Sequence, residues 1–170
     1  TDDLCFIKSM YGFNSRHGGA LLELHTGSDT FVRPSMGSWI TYGLGTENQN
    51  LPGYITICPS LTHGGVNNWS SAFLPAVYQG TRIAHNEVTP EALIKDIRNS
   101  RLTLSQQRRQ IDLLAKLNRL HRDEQRRTDA QLEGSIQSME IAYRMQTEAP
   151  EVFDLGRESP ATLERYGDGD

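Results

Sequence analysis

The sequence predicts an α/β protein in which a sheet-forming part precedes a helical part, and three observations carry that prediction. Eleven of the 15 glycines fall in the first 80 residues and four in the last 90, so the first stretch is rich in turns and the second is not. Two short runs of β-formers, Leu4-Cys5-Phe6-Ile7 and Tyr54-Ile55-Thr56-Ile57-Cys58, have two short helical segments between them. Beyond residue 100, apolar residues recur at helical spacing along two long stretches. Strand, helix, helix, strand with long loops at one end fits an open sheet better than a sandwich.

Each element follows from local punctuation. Leu4 to Ile7 reads as a buried strand. Ala20 to Thr26 reads as a short helix stopped by Gly27, which suits the left-handed position after a helix end. Pro34 fits the first turn of a helix running through Trp39 to about Leu44, closed by Gly43 and Gly45. Tyr54 to Cys58, bounded by Pro52-Gly53 and Pro59, reads as a second buried strand. Residues 59–90 carry Gly64-Gly65, Asn67-Asn68, Pro75, Gly80 and Pro90, and a loop of that length is expected to bind or to cover a site.

The helical part is more regular. Thr103 and Gln106 make a capping box ahead of Ile111, Leu114, Leu117 and Leu120 on one face. A second helix starts near Thr128 or Asp129, carries Leu132, Ile136, Met139 and Tyr143 on one stripe, and is expected to end at Pro150. Ser159 caps a last short helix with Pro160 in its first position and Gly167 after its end. Both apolar stripes are packing faces, and the pair at about 101–148 is expected to stand on or beside the sheet. Residues 1–170 therefore read as a single partial domain, with a sheet and loop part at 1–90 and a helical part at 91–170.

Charge and composition exclude several classes. With 36% hydrophobic residues and no window near the ~18 apolar residues of a membrane helix, no span is expected. A net charge of −4 and a pI near 5.7 leave no basic footprint for nucleic acid. Between Arg101 and Arg127 eight Lys/Arg face three Asp/Glu, whereas from Thr128 to Asp170 three Arg face ten Asp/Glu. Adjoining helices of opposite sign are expected to lie antiparallel, and the acidic one cancels the field that a phosphate backbone needs. Docking of a partner on that pair is the weaker alternative. Cys5 and Cys58 make neither a disulfide framework nor a metal-ligand spacing. The chain opens Thr1-Asp2-Asp3 next to a strand and ends just past a helix stop, so it is expected to be a piece of a longer chain; no targeting signal is legible in it.

Among residues able to do chemistry, the five histidines His17, His25, His63, His85 and His121 show no metal-helix spacing. His63, His85 and His121 read as loop or exposed helix residues. His17, before Gly18-Gly19, and His25, at the end of the same helix, have a more suggestive setting. The strongest local pattern is Thr30-Phe31-Val32-Arg33-Pro34-Ser35-Met36-Gly37. It delivers Arg33 and Ser35 to a helix start whose free N–H groups and dipole favour an anion. Arg33 can offer a bidentate fork there, and Ser35 sits near the cap. No nucleophile elbow, Walker loop or dinucleotide fingerprint is present.

Four strings and a tail extend these patterns: Asp2 to Met10, Arg33-Pro34-Ser35-Met36-Gly37-Ser38-Trp39, Tyr42 to Pro52, Phe73 to Thr81, and Tyr143-Arg144-Met145-Gln146 with Pro150-Glu151 and Asp154-Leu155. Together they resemble a bacterial sulfatase-like family known as domain of unknown function 1501, in order and over almost the whole chain. The resemblance implies a central fragment of an alkaline-phosphatase/sulfatase-like open sheet with flanking helices. It implies a protein that hydrolyses sulfate or phosphate esters with a divalent metal of the zinc, calcium or magnesium class. Most metal ligands would lie in flanking segments, with none in this chain and no metal bound by this chain alone. The implied substrate is a small anionic ester or a sulfated or phosphorylated glycan, and the implied location is outside the cytoplasm, by export. His17, Arg33 and Ser35 are the substrate-anion candidates. Related sulfatases carry a Cys-x-Pro-Ser-Arg nucleophile motif, but Val32 and Met36 stand here at its first and last positions, and the family's Asn-His pair appears as Arg16-His17. The alternative is a non-catalytic binding or structural protein on the same fold.

Overall fold

The computed structural model describes residues 4–83, 97–125 and 128–166. In chain order these hold α1 (His17–Thr26), α2 (Met36–Leu44), β1 (Ile55–Ile57), 3₁₀ turns at Gly65–Trp69 and Ala76–Tyr78, and β2 (Thr81–Ile83). Helices α3 (Leu104–Gln125) and α4 (Ala130–Val152), a 3₁₀ turn at Leu155–Arg157 and α5 (Pro160–Tyr166) follow. β1 and β2 pair in parallel with Ile55 opposite Thr81 and Ile57 opposite Ile83.

Local chemistry explains the helix limits. α1 begins three residues earlier than the periodicity suggests, because Asn14 organises its start. The Asn14 side-chain oxygen accepts from the Arg16 N–H at 2.9 Å, and its amide lies where a Cβ on Gly19 would come within 2.0 Å. Only glycine lets that amide pack there. Gly27 ends the helix at φ 74°, donating its N–H to Glu23 O. Pro34 lies one residue outside α2 rather than in its first turn; Ser35 is the N-cap, with extended backbone angles, because its N–H is used by the Ser70 carbonyl. The expected Thr103–Gln106 box is present, with Gln106 N–H donating to Thr103 Oγ1 and Thr103 N–H to Gln106 Oε1. Asp129 caps α4 by accepting from the N–H groups of Gln131 and Leu132. Ser159 caps α5 by accepting from Thr162 N–H; Gly167 lies outside the described residues.

Four expectations are corrected. Leu4 to Ile7 is irregular and exposed rather than a buried strand, since no described strand edge runs beside it. β1 is not buried: Ile57 is 76% exposed, because no described layer covers that face. Pro150 does not end α4, which runs to Val152; in the last turn a missing N–H costs one bond and the helix closes around it. Residues 59–83 are not one loop but contain two 3₁₀ turns and β2, a strand too short to show alternation. The rest of that stretch, with His85 and Pro90, lies outside the described residues.

The helical pair is antiparallel, as the opposite charges suggest. Arg108, near the start of α3, forks onto Glu140 of α4 at 2.7 and 2.5 Å, and Arg122, near its end, reaches Glu133 at 3.0 Å. Along α3, Ile111 is buried while Leu114, Leu117 and Leu120 stay exposed, because α4 is the helix packed against it and covers only a narrow seam. α4 has two faces. Met139 and Tyr143 line a cleft with Ile111 and Leu114 of α3. Its most buried residues, Gly134, Met145 and Ala149, turn instead toward the sheet part. A Cβ on Gly134 would come within 2.6 Å of Pro75, so its absence lets the helix dock against the 73–78 turn. The small core joins Met145 and Ala149 to Ile97, with Leu51, Ile83, Ile141 and Phe153 around it.

The Arg108–Glu140 pair makes stability depend on pH. The Arg108 guanidinium holds the Glu140 carboxyl below the usual carboxylate range against the opposing effect of burial. A depressed carboxyl contributes stability above the ordinary carboxylate range and loses it as pH falls through its folded value. Arg108, itself pushed upward by Glu140, stays charged throughout. Glu140→Gln is therefore expected to cost about 1 kcal/mol at neutral pH and nothing in acid, once Glu140 is protonated in both the folded and the unfolded protein. Urea titrations at the two pH values check this, and an equal cost in acid would assign the effect to packing.

Candidate functional site

The segment that follows β1 brings His63 and Asn68 against the His17 and His25 side chains of α1. In open α/β sheets ligands bind outside the carboxyl ends of parallel strands. The segment leaving that end of β1 runs through His63 to the Gly65–Trp69 turn, which packs against α1. Gly64 and Gly65 take φ of 84° and 56°, a region open to glycine. A Cβ on Gly64 would come within 2.8 Å of Leu22, so the loop lies directly on α1.

Asn68 pins this arrangement. It is 8% exposed; its amide donates to His63 O at 2.6 Å and Gly65 O at 3.1 Å, while its Oδ1 lies 3.0 Å from His25 Nδ1, which donates to it. His25 is thus occupied structurally. The result is that the exposed His63 ring meets the exposed His17 ring, with centroids 5.5 Å apart and planes tilted by 37°. Nothing in the order of residues pairs His17 with His63. The available signal was a repeat, His17-Gly18-Gly19 and His63-Gly64-Gly65, which says that both precede flexible backbone but not that they meet.

Arg33 and Ser35, adjacent in the motif, part company. Arg33 is exposed, its guanidinium 5.8 Å from the Phe31 ring centroid. It lines a cavity of about 100 Å³ with Leu22, Thr26, Asp29, Phe31 and Asn67 among others. That volume suits a small oxyanion rather than a whole ester of drug size, for which sites run to about 300–1,000 Å³. Asp29 contributes a carboxylate to the same lining. Its pKa is lowered by hydrogen bonds from Asn14 and Thr30, so an anion would have to approach from the Arg33 side. Ser35 is 0% exposed, and its hydroxyl pairs with Ser38 Oγ at 2.9 Å, which in turn donates to Ser70 O. Neither Ser35 nor His17 lines the Arg33 cavity.

A cleft of about 430 Å³ lies between Met10, Tyr11 and Gly12 on one side and Ala20, Glu23 and Leu24 of α1 on the other. The Glu23 carboxylate there accepts from the Phe13 and Asn14 N–H groups, so it serves to hold the leading segment on the helix. Among the described residues no three His, Cys, Asp or Glu side chains converge as a metal-binding group, and no helix is long and apolar enough to cross a membrane.

The model of one protein family, described as a protein of unknown function (DUF1501), matches residues 1–170. No curated protein and no solved structure matches the chain.

Proposed function

The chain belongs to the DUF1501 family, and from that premise we propose that it is the central part of an alkaline-phosphatase-like, sulfatase-like protein that hydrolyses sulfate or phosphate esters. The observation that supports this best is the small cavity bearing Arg33, whose size and cation suit the oxyanion group of such an ester. His17, on the first turn of α1 and outside that cavity, would be a separate anion contact. Ser35 does not reach the ligand; its buried hydroxyl fixes where α2 begins and so where Arg33 is presented. A divalent metal would act as a Lewis acid on the ester oxygen in the complete protein, with most of its ligands in flanking segments. The substrate would be a small anionic ester or a sulfated or phosphorylated glycan met after export.

Arg33→Ala in the complete protein is expected to weaken binding of inorganic sulfate or phosphate about tenfold, the loss of one charge-assisted hydrogen bond. Calorimetric titration measures it, and unchanged binding would remove Arg33 from the site. Ester turnover abolished by a chelator would support hydrolysis.

A second proposal, a binding or structural protein on the same fold, is favoured by a specific pair of facts. Val32 stands at the motif's nucleophile position, and the neighbouring Ser35 hydroxyl is sealed from solvent. Metal-loaded complete protein that binds these anions and turns over no ester would select it.

A further inference from the structure

We propose that the outer face of α3 is an interface between two copies of this chain, paired antiparallel about a two-fold axis between Leu117 and Leu120. The interface stands apart from ester hydrolysis and would serve a binding protein equally well.

α3 has two faces suited to a neighbouring helix, and α4 covers one of them. Arg108, Asn118 and Arg122 bond to Glu140 and Glu133 of α4, and Ile111, on the same side, is buried. Leu113 and Leu120 lie two residues beyond Ile111 and Asn118, a rotation of about 200° around the helix. Leu117, four residues after Leu113 and three before Leu120, completes a stripe with the alternating spacing of a coiled-coil seam. The stripe therefore points away from α4, and its three leucines are 56%, 53% and 51% exposed. α4 is the described helix packed against α3. A contiguous apolar stripe on a long helix gains free energy when a second surface removes it from water.

The charges beside the stripe fit a copy of the same helix. Lys116 and Asp123 lie seven residues apart on one flank of it. Both are exposed, and neither has an ion-pair partner among the described residues. Turning a second α3 end for end and setting Leu117 against its Leu120 brings this flank of both copies together. Lys116 of each copy then meets Asp123 of the other, so two opposite-charge contacts bracket the leucines. Parallel pairing would instead place Lys116 beside His121 and Asp123 beside Thr128, with no such attraction. Arg109 falls a turn beyond the leucine layers. The pairing is self-complementary and closes after two copies, so it makes a dimer rather than a fibre. One helix per copy is a contact at the small end of specific interfaces, below about 1,200 Å², so association in the micromolar range is expected.

Sedimentation equilibrium of the complete protein containing this chain tests the interface, over a micromolar to submillimolar concentration series. The parent is expected to show a monomer–dimer equilibrium, and Leu117→Glu to leave monomer alone. Lys116→Glu and Asp123→Lys are each expected to weaken association about tenfold, because the two-fold repeats every unfavourable contact. The combined Lys116→Glu/Asp123→Lys variant reverses both signs, and is expected to dimerise as the parent does. Damage to the fold would not be rescued in this way. All three side chains are exposed, so no substitution opens the core, and far-UV circular dichroism verifies the fold. A dimer that persists in Leu117→Glu would overturn the proposal, as would charge variants that the combination does not rescue. A monomeric parent would overturn it too. Lowered melting of its Leu117→Glu variant would then assign the stripe to a flanking segment of the same polypeptide, and unchanged melting to a different partner. Turnover is not read, so failure of the hydrolase proposal leaves this test intact.

Discussion

Gly80→Ala is expected to lower the free energy of unfolding by about 2 kcal/mol, within the usual range for overpacking a filled interior. Gly80 is buried at the entrance to β2, where its N–H donates to Trp69 O at 3.0 Å and the next residue, Thr81, donates to Tyr54 O at 2.9 Å. A Cβ there would come within 2.8 Å of the Tyr54 ring, 2.9 Å of Trp69 Cβ and 3.0 Å of Trp69 O. The Trp69 atoms cannot swing away, because they belong to or adjoin the backbone. The ring cannot yield either: its far side fills the space over Gly37, where a Cβ would come within 2.4 Å. Tyr54 is thus held between two glycines, one on α2 and one ahead of β2. Gly37→Ala meets the same ring but gains about 1 kcal/mol in helix propensity, so a smaller net loss is expected. Urea denaturation checks both, with a lowered midpoint and an unchanged slope. A Gly80→Ala midpoint equal to that of the parent protein would show that the ring does not occupy this slot.

Asn68→Ala is expected to cost about 1–2 kcal/mol, because it leaves two part-buried carbonyl groups and the His25 Nδ1 without their partner. The side chain serves His63 O, Gly65 O and His25 Nδ1 at once. Asn68→Asp keeps the shape and the acceptor for His25 but turns both donated bonds into contacts between acceptors, so a comparable loss is expected. If the aspartate variant retained full stability, the amide donors to His63 O and Gly65 O would not be what holds the loop in its fold. Either variant should also free His63 from His17, which histidine ring resonances report directly. Stability and ring pairing should fall together, since one side chain supports both.

Four helix-end signals were legible in the sequence, because each is settled by neighbours a few residues apart. The Thr103–Gln106 box, the Asp129 and Ser159 caps and the left-handed Gly27 each satisfy backbone groups left over at a helix end. The antiparallel pairing of α3 with α4 was also legible, because net charge of opposite sign survives without knowledge of individual contacts. Strands were less so. Leu4-Cys5-Phe6-Ile7 and Thr81-Arg82-Ile83 invert the expectation, since among the described residues the apolar run forms no strand and the mixed triplet pairs. A strand depends on an edge elsewhere in the chain, which composition does not encode. The large apolar stripe of α4 was visible, whereas its deeper face was not. Gly134 and Ala149 are small because Pro75 and the core come close, and a search for large residues passes over them.

At the candidate site the same division holds. Arg33, Ser35 and His17 could be singled out by residue type and by their place at helix starts. Their environments could not. Ser35 is sealed beneath Ser70, Arg33 faces a cavity whose other wall is α1, and His17 meets His63 across a loop folded back by Asn68. The sequence alone established the helices, their caps and the charge pairing, for those rest on interactions within a few turns or on fields that do not need exact positions. Which strands pair, which serine is buried and which histidines touch were left to tertiary contacts, because each depends on chain segments tens of residues apart arriving within a hydrogen-bond length of one another.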